Sequence, residues 1–546
     1  MVRMKHSSHR QIRPTPGQPA ETARAGALPR SIEALEARIA PAGLIDVSFS
    51  KGVLAIHGDA DNNNLTITET ADGRLSLTTD VASTLRINGT DFNGLMGQTL
   101  AGPVTGGVTI DLGDGVDILR FNGSVADLEL PSFLKINHGN GANQIFFEQG
   151  VTVSGAVTIN GGKDMDNIHL NDEVNFSNKL TINNGAGGSL IDSNATGDIR
   201  VGGIMSVTSG AGMDKIDFTM AQKATLGGFV LKTIGDTDST ETRLSPVESL
   251  TINGAVKVTS GGGTDDLDLG DATKETRITG AVAINLGAGN NHTDIVGADS
   301  LIVGGPIKIT GGADGDLAHV GINSGEVSFG SSVTINLGEG SNGSVVQGHK
   351  LDVAGNITIS GGASSDNAVI SSSEDGTIAG AVKVSLGKGS NSFNLLADAN
   401  NVLTLAKTLV ISSQGTKPGF DSVSVNDVKI QGATTITTGE GNDSISIDDA
   451  TFNGVFKLAT GKGNDMIKIE QSATETGHTV FNRAATIQAG DGDDALSLSD
   501  VLASDEQKAI FAAIATFDGG TGMNTLALSA FGANLFYGPE PVKKGF

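Results

Sequence analysis

Along most of the chain, apolar and polar residues alternate one by one in short runs separated by turns that contain glycine. Leu301-Ile-Val303, Pro306-Ile-Lys-Ile309 and Asp316-Leu-Ala-His-Val320 are three consecutive runs. Alternation with a period of two indicates a β-strand that buries one face. The pattern therefore predicts an all-β fold of short strands joined by tight turns.

The strands recur as an internal repeat of about 25 residues. Consecutive turn glycines from Gly113 to Gly461 lie 22 to 28 residues apart, and the middle strand returns in forms such as Gly254-Ala-Val-Lys-Val258 and Gly380-Ala-Val-Lys-Val384. Stacking equivalent strands in parallel buries one continuous aliphatic column, whereas a meander does not give such even spacing. The repeat predicts a single elongated parallel β-helix (β-solenoid) of about 18 turns of ~25 residues.

The repeat domain is predicted to span residues 45–530. Residues 1–44 precede it. They begin with a basic stretch whose composition predicts disorder, and they continue into a short helix that Ser31 starts and Pro41 ends. Residues 531–546 form a C-terminal tail, which we expect to block further stacking.

A second helix is predicted as an insertion near the C-terminal end of the solenoid, over residues 504–516. Ser504-Asp-Glu-Gln507 has the form of a capping box, and the apolar residues that follow it fit one face of a helix. We expect this helix to pack on the side or over the open end of the solenoid, because an uncovered terminal turn exposes unpaired backbone groups.

The segment Ala34-Leu-Glu-Ala-Arg-Ile-Ala-Pro-Ala-Gly43 resembles the LEPR-type N-terminal motif, which is Leu-Glu-Pro-Arg followed by apolar residues. That motif begins many repeat-rich surface or secreted proteins of planctomycete- and verrucomicrobium-like bacteria. Leu35, Glu36, Arg38 and Ile39 match it, and Ala37 replaces the proline. The resemblance covers ten of the 546 residues. It implies an extracellular or cell-surface location in a bacterium.

Composition narrows the possible partners. The net charge of −25 argues against binding to nucleic acid, which requires Lys and Arg to neutralise phosphates. Cysteine is absent, so disulfides and thiolate metal sites are excluded. No apolar run approaches the roughly 18 residues of a membrane span. The expected partners are surface polysaccharides or other envelope and matrix proteins. A further possibility is that another chain carries a membrane anchor for this one.

One turn phrase carries candidate metal chemistry. Thr438-Gly-Glu-Gly-Asn-Asp-Ser-Ile-Ser-Ile447 returns as Thr460-Gly-Lys-Gly-Asn-Asp-Met-Ile-Lys-Ile469. The phrase resembles the Ca²⁺-binding nonapeptide of RTX-type (hemolysin-type) β-rolls, G-G-x-G-x-D-x-U-x. The resemblance implies that Asp carboxylates and turn carbonyls of stacked turns converge on Ca²⁺, a hard cation with oxygen ligands. The candidate ligands are Asp117, Asp214, Asp265, Asp443, Asp465 and Asp494.

Two departures from the RTX pattern leave a structural alternative open. RTX motifs follow one another every nine residues, whereas here one turn occurs per repeat of about 25. In several turns Asn291, Asn342 or Asn391 replaces the acid, and these Leu-Gly-x-Gly turns alternate with Gly-Gly turns. Asp or Asn can also cap its own turn by accepting backbone N–H groups. The calcium-binding interpretation is strongest, relative to turn capping, where Asp443, Asp465 and Asp494 fall in successive turns.

The favoured function is a non-enzymatic structural or adhesive one. The alternative is a polysaccharide-degrading enzyme (a lyase or a hydrolase), because parallel β-helices host such enzymes. Those sites need convergent carboxylates and a basic residue in a groove. Here the carboxylates repeat, which is typical of a scaffold, and the absence of Trp leaves little for sugar stacking. The irregular turn Gly235–Pro246, with three acids and Arg243 in a longer loop, is the main exception.

Overall fold

The computed structural model describes residues 43–546 except 93, 125, 195, 236–238, 272, 323, 416–418, 472–476, 500–507 and 529–540. The predicted N-terminal disorder and the short helix before Pro41 lie outside the described residues. The predicted all-β solenoid is confirmed: three short strands per turn stack in parallel on the equivalent strands of the next turn, over about 16 turns. The strands form three sheets, which we call sheets 1, 2 and 3.

Sheet 1 follows the turn that leaves sheet 3. Its strands are Val53–His57, Val108–Asp111, Leu134–Asn137, Val157–Asn160, Leu180–Asn183, Val256–Thr259, Val282–Asn285, Ile307–Thr310, Val333–Asn336, Ile357–Ser360, Val382–Ser385, Leu409–Ser412, Thr434–Thr437, Phe456–Ala459, Ala485–Gln488, Ala515–Asp518 and Val542–Lys544. Two longer strands, Ile199–Ser209 and Lys223–Thr233, supply sheet 1 with their second halves and sheet 3 with their first halves.

Sheet 2 follows the glycine-rich turn. Its strands are Asn64–Glu69, Ile118–Asn122, Gln144–Glu148, Asp166–Asn171, Ser189–Asp192, Asp214–Asp217, Thr240–Leu244, Asp266–Leu269, His292–Ile295, Leu317–Gly321, Gly343–Gly348, Asn367–Ser372, Ser392–Ala397, Ser422–Asn426, Ser444–Asp448, Met466–Ile469, Ala495–Leu498 and Thr525–Leu528. Sheet 3 completes each turn. Its strands are Leu128–Leu130, Val151–Val153, Val174–Phe176, Ser249–Ile252, Glu275–Ile278, Ser300–Val303, Glu326–Phe329, Lys350–Val353, Gly376–Ile378, Leu403–Leu405, Val428–Ile430, Thr451–Phe452, Val480–Phe481 and Ile510–Phe511.

The core is one continuous column of side chains from the inward positions of all three sheets. Val256 and Val258 are buried and Lys257 between them is exposed, as the alternating sequence predicts. Towards the C-terminus, aromatic rings join the column: Phe481 stacks on Phe452 with ring centroids 5.0 Å apart and on Phe511 at 4.7 Å. Most of the scarce aromatic residues therefore stabilise the interior.

The first part of the solenoid differs from the prediction. Antiparallel hairpins precede the parallel turns: Gly43–Ser50 pairs with Val53–His57, and Asn64–Glu69 pairs with Leu75–Thr79. The remaining elements of this region are the strands Ser83–Ile87, Thr90–Phe92 and Gln98–Thr99 and the 3-10 helix Gly94–Met96. Gly89 lies in the antiparallel hairpin of Ser83–Ile87 and Thr90–Phe92 and does not mark a parallel turn. The solenoid has about 16 turns instead of the predicted 18 or so.

The helix predicted over residues 504–516 is wrong where the structure describes it, from residue 508 onwards. Ile510–Phe511 pairs with Val480–Phe481 in sheet 3, and Ala515–Asp518 pairs with Ala485–Gln488 in sheet 1. Phe511, Ala515 and Phe517 are buried, whereas Ile514 is 44% exposed. The gain from stacking Phe511 on the preceding turn outweighs the helix propensity of this alanine-rich segment. No helix among the described residues is long and apolar enough to cross a membrane.

Candidate functional site

All six predicted metal ligands lie in one column of the solenoid. The chain leaves sheet 1, makes the glycine-rich turn, and places an Asp or Asn immediately before or at the start of most strands of sheet 2. The strands that begin at Ser189 and Thr240 are exceptions. Asp443, Asp465 and Asp494 occupy this position in successive turns, and Asp117, Asp214 and Asp265 occupy it earlier. All six side chains are at most 3% exposed. These carboxylates therefore lie inside the solenoid and not at its surface.

The column is held together by a repeated hydrogen bond between neighbouring turns. The backbone N–H of Asp443 donates to Oδ1 of Asp465 at 2.8 Å, and that of Asp465 donates to Oδ1 of Asp494 at 2.9 Å. The same bond joins Asn63 to Asp117, Asp117 to Asn143, Asn143 to Asp166, Thr240 to Asp265, Asp265 to Asn291, Asn291 to Asp316, Asp316 to Asn342, Asn342 to Asp366, Asp366 to Asn391, Asn391 to Asp421, Asp421 to Asp443 and Asp494 to Asn524. Asp214 takes part through the hydroxyl of Ser189. We call this column, from Asn63 to Asn524, the Asx ladder.

The asparagines of the ladder are paired with the acids that follow them. Nδ2 of Asn342 donates to Oδ1 of Asp366 at 3.0 Å and to the carbonyl of Gly340 at 3.1 Å. Asn291 makes the corresponding bonds to Asp316 and to its own turn. Each amide therefore satisfies one buried carboxylate and one turn carbonyl together. The asparagines that depart from the RTX pattern have a structural role in the ladder.

The last part of the ladder lacks these amide donors. Asp421, Asp443, Asp465 and Asp494 follow one another without an intervening asparagine. The second carboxylate oxygen, Oδ2, of each is buried and accepts no hydrogen bond within the described chain. The nearby hydroxyls of Thr438 and Thr460 donate to carbonyl groups instead. This acidic run therefore places such oxygens in four successive turns, where a proton or a cation can bind them. Single oxygens of this kind also occur earlier in the ladder, at Asp117, Asp166 and Asp265.

Burial raises the pKa of the ladder carboxyls because it removes water from the charged form. The pKa of Asp465 rises to about 6 by burial, with the neighbouring carboxylates of Asp443 and Asp494 acting in the same direction. Burial also raises the pKa of Asp443 and of Asp494, and it raises the pKa of Asp117 to about 7. Several ladder carboxyls therefore exchange protons in the weakly acidic to neutral range.

The glycine turns that carry the ladder are closely stacked. Gly463 has φ +142°, and a Cβ atom there would lie 1.5 Å from the carbonyl oxygen of Gly441. The turn carbonyls themselves bond the next turn, for example Gly461 O, which accepts the N–H of Asp491 at 3.0 Å. The turns are therefore backbone ladders of their own, and in the acidic run they leave the Oδ2 atoms without donors.

A second acidic group lies at the corner between sheets 2 and 3. Asp448, Asp449 and Glu470 each place one carboxylate oxygen within 4.8 Å of the others. Burial, with the two nearby carboxylates acting in the same direction, raises the pKa of Glu470 to about 8. The sequence analysis missed this group because its members belong to successive turns. Aligning the turns at the end of each sheet 2 strand would have found it.

The outer face of sheet 2 carries a charged cluster that the sequence analysis also missed. Nδ1 of His292 lies 3.2 Å from Asp266, and Nε2 of His292 and Nδ1 of His319 each lie 3.3 Å from Oδ1 of Asp294. Arg243, expected in a loop, lies on strand Thr240–Leu244, 3.7 Å from Asp266. These residues are about one turn apart in sequence, so a search for local metal-ligand spacings does not connect them.

Within this cluster, the pKa values of neighbouring side chains are shifted in opposite directions. Hydrogen bonding and charge from Asp294 raise the pKa of His292 to about 9. His292 and His319 in turn hold the pKa of the Asp294 carboxyl well below its usual range, against the opposing effect of burial. Burial raises the pKa of Asp268, the neighbour of Asp294 in the sheet, to about 6. The cluster lines a surface cavity of about 380 Å³.

No protein-family model, no curated protein and no solved structure matches the chain.

The raised pKa values predict that the folded chain loses stability as the pH rises from 5 to 8. An unfolded Asp is ionised above about pH 4, whereas the folded ladder keeps protons until the pH passes about 6 at Asp465 and about 7 at Asp117. A carboxyl whose pKa is higher in the folded chain than in the unfolded chain stabilises the folded chain fully when the pH is below its unfolded pKa. This stabilisation is lost as the pH rises through its folded pKa. Thermal unfolding followed by circular dichroism at both pH values measures the change.

Asp465→Asn should raise stability at pH 8 by about 1 kcal/mol, because the amide supplies the donor that the acidic run lacks. It should also flatten the dependence on pH. The matched control is Asn342→Asp, which removes such a donor from the alternating part and should destabilise the chain more at pH 8 than at pH 5. Equal pH dependence in both variants would refute the role assigned to the ladder carboxyls.

Proposed function

We propose that the chain is a non-enzymatic, exported or cell-surface repeat protein with a structural or adhesive role. The observation that supports this proposal is the repetition of one core through about 16 turns, with the Asx ladder present in most of them. A protein of this kind presents long, regular faces at a fixed spacing of ~4.8 Å per turn. The acidic surface, the absence of cysteine and the LEPR-like segment at residues 34–43 favour export in a bacterium.

The surface location predicts that a protease added to intact cells of the bacterium that carries the chain will remove it. Cell fractionation with an antibody to the solenoid should find the chain in the outermost fraction or in the medium. A known cytosolic protein in the same cells serves as the control and should resist the protease. Protection of the solenoid until the cells are lysed would contradict the proposal.

Calcium binding at the acidic run is part of the proposed function. The buried Oδ2 atoms of Asp443, Asp465 and Asp494 are oxygens without hydrogen-bond donors among the described residues, in neighbouring turns about 4.8 Å apart. Carboxylate oxygens are the ligands that Ca²⁺ prefers. A divalent cation there would offset the repulsion between the stacked carboxylates. Protonation of these carboxylates also relieves the repulsion, but only at lower pH.

Millimolar Ca²⁺ should therefore raise the melting temperature at pH 8 relative to excess chelator. A cation that binds only the folded chain stabilises it by about 2.7 kcal/mol at 100 times its Kd. The triple variant Asp443→Asn, Asp465→Asn and Asp494→Asn should lose this shift. The control, Asp316→Asn with Asp366→Asn in the alternating part, should keep it. Identical melting of the wild-type chain with Ca²⁺ and with chelator would mean that the ladder acts only as a set of turn caps.

A second candidate function is a polysaccharide-degrading enzyme, and the cluster on sheet 2 favours it. The carboxyl of Asp268, with its pKa raised to about 6, can hold a proton while the neighbouring Asp294 stays ionised. Two carboxyls with opposite shifts divide the roles of acid and base in glycoside cleavage. Arg243 and the cavity beside it supply the basic residue and the groove that such a site requires.

The favoured function predicts that the purified chain releases no reducing ends or unsaturated products from polygalacturonate or alginate. If the second candidate is correct, the wild-type chain cleaves one of them, and Asp268→Asn lowers the rate by about 100-fold or more, as expected for loss of a general acid. Asp352→Asn, on the outer face of sheet 3, is the matched control and should leave the rate unchanged.

A further inference from the structure

The outer face of sheet 1 has a charge opposite to that of the chain as a whole. Every strand of sheet 1 from Leu134–Asn137 to Ala485–Gln488 lacks Asp and Glu, although the chain carries a net charge of −25. The outward positions of these strands include six exposed lysines. They are Lys135, Lys232, Lys257, Lys308, Lys383 and Lys457. This face is therefore positive and free of carboxylates.

The corner that leads from sheet 3 into sheet 1 extends the same surface. The corner segments between residues 131 and 484 also contain no Asp or Glu, and they add the exposed residues Lys179, Lys407 and Arg483. None of these side chains, and none of the six lysines on the strands, forms an ion pair with another described residue. Their charges are available to a partner.

The other two faces do not separate charge in this way. The outward positions of sheet 2 include Asp217, Asp268 and Asp294, and those of sheet 3 mix signs, with Arg277 and Asp352. Several lysines on these faces pair with acids, as Lys350 does with Asp352 at 3.4 Å, whereas Lys429 and Lys468 form no ion pair with another described residue. Within the described part of the solenoid, sheet 1 from Leu134 to Gln488 is thus the face that carries lysines without carboxylates.

The lysines of sheet 1 are aligned along the solenoid axis. Strand register places Lys257, Lys308, Lys383 and Lys457 in one column, at successive intervals of two, three and three turns. At ~4.8 Å per turn, neighbouring charges in this column are about 10 to 15 Å apart. Thr334, Thr358 and Thr435 fill positions between them, and their hydroxyls can donate and accept hydrogen bonds.

We propose that this face binds a linear acidic polysaccharide that lies along the solenoid axis. The inference rests on the proposed adhesive function and specifies its partner. The wide spacing of the lysines suits a polymer whose carboxylates or sulfates are separated by sugar units, and the threonines suit its hydroxyl groups. Double-stranded DNA carries one charge per about 1.7 Å, so its phosphates would outnumber the lysines and would be repelled by the rest of this acidic protein.

The test measures binding of the purified full chain to polygalacturonate and to alginate, with neutral dextran and double-stranded DNA as comparisons. The face variant carries Lys257→Gln, Lys308→Gln, Lys383→Gln and Lys457→Gln. The charge-matched control carries Lys163→Gln, Lys388→Gln, Lys429→Gln and Lys468→Gln, four exposed lysines outside this face. Thermal unfolding of both variants should match the wild-type chain and so exclude misfolding.

We expect the wild-type chain to bind at least one acidic polysaccharide and to ignore dextran, with affinity that falls as salt is added. The face variant should bind at least about tenfold more weakly, and the control within about twofold. Equal weakening of both variants, no binding to either acidic polymer, or tighter binding to DNA would overturn the inference. If the chain binds these polymers but stays inside the cell, the inference stands and the surface role is refuted. If the chain is exposed at the cell surface but binds neither polymer, the surface role stands and the inference is refuted.

Discussion

The structure depends on one constraint: each turn must stack on the next with its glycine-rich corner in register. Parallel strands leave a polar backbone at every corner, and a buried N–H without an acceptor is costly. In most turns the Asx ladder supplies that acceptor, since one side-chain oxygen of the following turn accepts the N–H of the turn before it. The same bond fixes the register that lets the aliphatic core form a continuous column.

This constraint also explains the variation between turns. Where Asn and Asp alternate, the amide of Asn342 donates to Asp366, and the pair leaves one carboxyl for every two turns. The two-turn period in the sequence, in which Leu-Gly-x-Gly turns alternate with Gly-Gly turns, coincides with this alternation. From Asp421 to Asp494 the donors are missing and the carboxyls stack on one another. The ladder thus changes from a part with one carboxyl in every two turns to a part with one carboxyl in every turn.

Much of this could be predicted from the sequence, because the signals are local and repeated. Alternation in segments such as Gly254-Ala-Val-Lys-Val258 predicted strands and their buried faces, and the glycines predicted the turns. The helix at residues 504–516 failed because stacking of Phe511 on Phe481 is a contact between turns, which a local helix pattern cannot reveal. The antiparallel hairpins near Leu75–Thr79 were missed for the same reason: the sequence does not show which turn pairs with which.

The site was predicted less completely than the fold. The acids of the turns were identified, and the asparagines among them were noted as a departure from the RTX pattern. Their burial was not foreseen, since a carboxylate in a glycine turn is usually solvated. The cluster around Asp294 and the lysine column of sheet 1 emerge only when strands about 25 residues apart are placed side by side.

The most direct test of the account is infrared spectroscopy of the folded chain, which distinguishes a protonated carboxyl from a carboxylate by its carbonyl stretch. Spectra taken in chelator from pH 5 to 8 should show a protonated carboxyl signal above pH 5, where exposed Asp residues are ionised. That signal should shrink as the pH passes 6 to 7 and should be weaker in the variant with Asp443→Asn, Asp465→Asn and Asp494→Asn. A wild-type spectrum with only ionised carboxylates at pH 5.5, identical to that of the triple variant, would contradict the account.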